Sequence, residues 1–107
     1  MEDLKENPTI SDMQRHLVDF VKSRGWNNKT ETEVFMLFVE EVGELAKALR
    51  KHISLQGEEP DKDNLEEEFA DVLNFLLDLA DKTDVDLEEA YRKKHSINKK
   101  RTWPGDK

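Results

Sequence analysis

An all-α fold, a bundle of four helices completed by copies of the same chain, is what this sequence predicts, and three observations carry that prediction. Apolar residues recur at three- and four-residue spacing along almost the whole chain. Capping and breaker residues cut the pattern into four segments. The two central segments are apolar around more of their circumference than one small hairpin can cover.

Helix one follows Pro8. Ser11 and Gln14 make a capping-box pattern, and Ile10, Met13, Leu17, Phe20 and Val21 then recur until Gly25 stops the run. Thr30 and Glu33 form a second capping box ahead of helix two, which carries Val34, Leu37, Phe38, Val42, Leu45, Ala48 and Leu49 and ends between His52 and Gly57. Glu58 to Asn64, with Pro60, is the loop with the strongest breaker chemistry. Helix three runs from about Asp63 to about Lys82 on a stripe of Leu65, Phe69, Val72, Leu73, Leu76, Leu79 and Ala80. Thr83 or Asp84 breaks it and caps helix four, which carries Val85, Leu87, Ala90, Tyr91 and Ile97 and stops at Trp103-Pro104-Gly105. Phe35 and Val39 widen the apolar surface of helix two, and Phe75 and Leu77 that of helix three. Both helices are therefore expected to pack against a second subunit as well as against each other.

The chain has 107 residues, which reads as one domain over 1–107 with its core at about 11–104. Its 39% of charged residues and net charge of -8 argue against a nucleic-acid backbone as the partner. Residues 92–101, RKKHSINKKR, depart from that acidity and offer a local anion site. Without cysteine there is no disulfide, thiolate ligand or thiol nucleophile. No apolar run approaches membrane-spanning length, and the start MEDLKENP lacks the basic and hydrophobic stretches of a secretory signal. A cytoplasmic protein with no membrane partner is the expectation.

Among its acids, direction matters more than spacing. Eight acidic pairs sit three residues apart, so spacing alone identifies nothing. Successive residues advance by about 100° around a helix, and on that wheel Glu41 falls inside the apolar arc of helix two, with Glu44 at its edge and Glu40 further out. Glu68 falls between Phe75 and Leu79, with Asp71 on the flank, whereas Asp78/Asp81 and Asp86/Glu89 project to the polar side. Carboxylates among core side chains repel and protonate unless something cationic holds them. Two readings stay open: a four-oxygen cradle for Mg²⁺ between facing helices, or acids salt-bridged to core Lys or Arg. A di-iron carboxylate bundle would need Glu three residues before a histidine, and Met13, Leu49 and Arg92 occupy those positions before His16, His52 and His95.

Three motifs in order resemble the MazG-like nucleotide pyrophosphohydrolases of the all-α NTP pyrophosphatase superfamily. Glu40, Glu41 and Glu44 make Glu-Glu-x-x-Glu; after 23 residues Glu68 and Asp71 make Glu-x-x-Asp; Lys94, Asn98 and Arg101 make Lys-x-x-x-Asn-x-x-Arg. The resemblance runs from about Ser11 to Pro104. It implies hydrolysis of a nucleoside triphosphate to monophosphate and pyrophosphate with Mg²⁺, or Mn²⁺ in its place, in a homodimer or a homotetramer built as a dimer of dimers, with sites at subunit contacts. Glu41, Glu44, Glu68 and Asp71 would hold the metal, and Glu40 would be an outer ligand or, with Glu41, part of the catalytic pair that orients water. Lys94, Asn98 and Arg101 would contact the triphosphate, with Lys47 a further candidate; a helix C-terminus that favours cations is the alternative for the basic segment. Trp26, after Gly25, is the better stacking face for a base, and Phe35 and Phe38 read as core. Asn74 and Asn28 could read a base edge or cap and solvate. The rival functions are phosphoribosyl-ATP pyrophosphohydrolysis and a non-catalytic helical interaction module.

Overall fold

A computed structural model describes residues 2–107. Four helices in the order α1 (Ile10–Ser23), α2 (Glu31–His52), α3 (Lys62–Lys82) and α4 (Leu87–Lys100) make up its regular structure, and no strand occurs among the described residues. None of the helices is long and apolar enough to cross a membrane. The α2/α3 hairpin is the largest contact; α1 lies on α3, and α4 packs on α1.

Caps explain most of the boundaries. The hydroxyl of Thr30 accepts from the Glu33 N–H at 3.2 Å while the Glu33 carboxylate accepts from the Thr30 N–H at 3.1 Å, the expected capping box of α2. For α1 the box forms two residues earlier than Ser11/Gln14 predicts, between Thr9 and Asp12, with both reciprocal bonds at 3.0 Å. The Thr9 N–H, then Lys5 at 3.2 Å, hold the Asp12 carboxyl down at about 2. Ser11 and Gln14 are thereby released for long-range work. Ser11 donates from its N–H to Glu88 and from its hydroxyl to Asp86, while Gln14 donates to the Val85 carbonyl at 2.8 Å and accepts from the Leu87 N–H at 3.1 Å. These four bonds dock the start of α4 on α1. Asp86, rather than Thr83 or Asp84, caps α4 by accepting from the Glu89 N–H.

Three helices end in one way. Trp26 donates its N–H to the carbonyl five residues back, as do Leu55 and Val85, and the preceding Gly25, Ser54 and Asp84 adopt left-handed φ of 72°, 54° and 56°. This is the Schellman closure, which glycine adopts freely and side-chain-bearing residues at a cost. Asp84 therefore terminates α3 instead of opening α4.

The core is small. Val34, Ala48, Leu77 and Ala80 are the buried apolar residues. Phe35, expected in the core, is 51% exposed, and Met36, Val39, Val42, Leu49 and Phe69 on α2 and α3 are also exposed. The chain exposes 8424 Å², against about 6,200 Å² for a compact monomer of its mass. Its radius of gyration is 16.8 Å, against about 13 Å for a compact domain of this length.

Candidate functional site

Antiparallel pairing of α2 with α3 brings the two acidic motifs together. Glu41, Glu68 and Asp71 each offer a carboxylate oxygen, and these oxygens lie within 4.8 Å of one another. Glu41 and Glu68 are half-buried and Asp71 is exposed, the order the wheel predicts. One turn of α3 separates Glu68 from Asp71, so a single face of that helix presents both.

Electrostatically the cluster is uncompensated. Burial, then the charges of Asp71 and Glu68, a side-chain hydrogen bond with Glu68 that favours the protonated form, and the charge of Glu44 push the Glu41 carboxyl above its ordinary value. The Oε2 atom of Glu68 is buried without a hydrogen-bond partner. Among the described residues no Lys or Arg closes an ion pair with Glu41, Glu44, Glu68 or Asp71, so the salt-bridged reading of these acids has no cation in this chain. An orphaned carboxylate oxygen beside two others is a hard donor set that fits a divalent cation such as Mg²⁺. Glu44 contributes charge from outside the three-oxygen cluster, and it is exposed, as are Glu40 and Lys47.

The basic motif is elsewhere. Lys94, Asn98 and Arg101 are exposed on α4 or at its end, and no hydrogen bond or ion pair joins them to the acids. The Arg101 guanidinium lies over the ring of Trp103, 5.7 Å from its centroid. Within one chain, then, the acidic motifs meet and the basic motif does not join them.

A cavity of about 270 Å³ begins at Asp71 and extends along the same face of α3 through Asn74, Phe75 and Asp78, with Trp26 and Lys29 from the α1–α2 loop and a floor of Leu17, Phe20, Val21 and Leu37. The Schellman closure at Gly25 fixes the backbone of Trp26, and its indole meets Phe20 edge-on at 5.8 Å. Half of the Trp26 surface remains exposed. A larger cavity of about 670 Å³, between α1 and the α3–α4 turn, shares no residue with the acid cluster.

Two of these residues escape a sequence reading. Asp78 is half-buried rather than solvated, and burial pushes its carboxyl up, while Lys82 and Lys29 pull the other way without reaching ion-pair distance. The signal was its position seven residues after Asp71, which puts both on one side of α3. Nothing in the sequence marks Lys29, which the loop delivers.

Comparison with known proteins agrees with the order of the motifs. A family model described as phosphoribosyl-ATP pyrophosphohydrolase matches residues 10–98. The dCTP pyrophosphatase 1 proteins of Homo sapiens and Mus musculus are each 35% identical over 100 residues, taking in 88% of this chain and 59% of the relative. The chain thus spans less than two thirds of the length of these relatives.

Proposed function

The chain belongs to the phosphoribosyl-ATP pyrophosphohydrolase family, within the MazG-like all-α NTP pyrophosphatases, and on that premise we propose that it cleaves nucleoside triphosphates to a monophosphate and pyrophosphate, clearing surplus or non-canonical (d)NTPs. The observation that carries this reading is the convergence of Glu41, Glu68 and Asp71 with no cationic side chain among them. Phosphoryl transfer is mostly positioning and charge neutralisation, and this cluster suits both.

Glu41, Glu68 and Asp71 would hold Mg²⁺, with Glu44 in reserve at the edge. When bound, the ion neutralises phosphate charge and acidifies water. The chain's own groups do the rest. Glu40, next to Glu41 and exposed, would be an outer ligand or the base that takes the proton of the attacking water. Lys94, Asn98 and Arg101 would grip the triphosphate, Arg101 through its two-pronged fork and Lys94 as a point charge. Because α4 stays on α1, these three are best supplied by a second copy of the chain, and the exposed apolar side chains Phe35, Met36, Val39, Val42, Leu49 and Phe69 on α2 and α3 support such an interface. A dimer or a dimer of dimers therefore belongs to the proposal. Trp26 would stack on the base.

The test is a panel of canonical and modified nucleotides with Mg²⁺, read by pyrophosphate against phosphate release. Monophosphate with stoichiometric pyrophosphate is expected; no monophosphate from any nucleotide would sink the reading. Activity confined to phosphoribosyl-ATP would select the narrower enzyme instead.

A further inference from the structure

The geometry points to Asp78 as the residue that reads the base, selecting nucleotides whose ring carries an amino group beside an acceptor nitrogen, as cytosine and adenine do, over uracil and thymine. The inference rests on the pyrophosphohydrolase reading and adds a substrate class to it. Asp71, Asn74, Phe75 and Asp78 occupy successive turns of one α3 face, and one cavity runs along that face from the acid cluster to Trp26. A nucleotide whose phosphates lie at Asp71 therefore has its base beside Asn74 and Asp78, against the indole.

Polar chemistry then decides the class. The amide of Asn74 both donates and accepts and can rotate to suit either edge pattern. An ionised Asp78 only accepts. It can take an N–H from the amino group while Asn74 donates to the neighbouring ring nitrogen. Uracil and thymine present a carbonyl oxygen at that place, and two acceptors would then face each other in a half-buried site. Burial already weighs on Asp78 with no ion pair to relieve it, so a ligand N–H would supply the missing partner. Trp26 tolerates any base, since every base has a π face.

The experiment compares dCTP with dUTP, which differ at the amino or carbonyl position, by kcat/KM on the full chain with Mg²⁺. Calorimetric Kd values for the α,β-methylene analogues of both are measured alongside. Wild type should favour the cytosine member by about ten- to hundredfold, the worth of one hydrogen bond to a charged group. Asp78→Asn, whose amide can turn either way, should bring the ratio to within about threefold, chiefly by improving the uracil member, and the analogue Kd ratio should move with it. Equal use of the two by wild type, or a ratio unchanged in Asp78→Asn, overturns the assignment. If neither triphosphate is hydrolysed, the wider nucleotide panel decides the catalytic reading, and the analogue Kd ratios still decide whether Asp78 reads the base.

Discussion

Replacing Glu41 by Gln should stabilise the metal-free protein. With carboxylate oxygens no more than 4.8 Å apart, two unit charges repel by at least about 0.9 kcal/mol in water and about 3.5 kcal/mol at an effective dielectric of 20. Glu41 faces two such neighbours, Glu68 and Asp71. Asp71 is exposed, so values near the water end apply, and Glu41→Gln should gain about 1–2 kcal/mol in chelator. About 4–8 °C in Tm per kcal/mol follows for a domain of this size. Saturating Mg²⁺ should reverse the order, since ligand at a hundred times its Kd adds about 2.7 kcal/mol to whichever form binds it. The sign with pH is also set. A carboxyl whose folded pKa lies above its ordinary 4.5 binds protons more tightly folded than unfolded. Its unfavourable contribution is therefore full at neutral pH and fades as pH falls through the raised pKa towards 4.5, and Glu41→Gln should flatten that slope. Thermal melts in EDTA and in Mg²⁺, at neutral and mildly acidic pH, measure all of this. A lower Tm for Glu41→Gln in EDTA refutes the reasoning, because it would mean that the carboxylate has a structural partner.

Other consequences are independent of that one. Glu41→Gln and Glu68→Gln should each cut pyrophosphate release at least about hundredfold, with Asp81→Asn near wild type as the exposed control. Gln14→Ala loses both bonds to the start of α4 and should cost about 1–3 kcal/mol in denaturant unfolding, with amide exchange accelerated in α4 before the other helices. Ser54→Gly should stabilise by about 1 kcal/mol, because it relieves a left-handed backbone; a loss on the same denaturation curve would contradict the cap. At low pH, Asp12 contributes stability that is present above its ordinary 3.8 and lost as pH falls towards about 2, so Asp12→Asn should bring acid unfolding to higher pH, as followed by circular dichroism.

What could be read from the sequence was whatever depends on neighbours along a helix. Thr30/Glu33, the four helical segments and the inward turn of Glu41 and Glu68 are all local patterns, and the structure reproduces them, whereas the apolar stripe read for helix four stays exposed at Val85, Tyr91 and Ile97. Ser11/Gln14 was a valid local pattern that lost to Thr9/Asp12, because Asp12 completes the reciprocal pair and recruits Lys5, while Ser11 and Gln14 find partners more than seventy residues away. Asp78 reads as solvated on a wheel that knows only its own helix; the structure sets it, half-buried, in a cavity that α1, the α1–α2 loop and α2 also line. Phe35 shows the converse, since an apolar pattern says that a face will be covered without saying by which chain.

The smallness of the core has a consequence for how the protein persists. With Val34, Ala48, Leu77 and Ala80 as its buried apolar residues, a solitary chain holds little free energy against unfolding, and in the proposed assembly the exposed apolar residues of α2 and α3 would be covered by another copy. Dilution, more than heat, is then the stress to which it is most sensitive: melting temperature should rise with protein concentration, and a falling supply of chains should lower the folded fraction itself as well as the number of working sites.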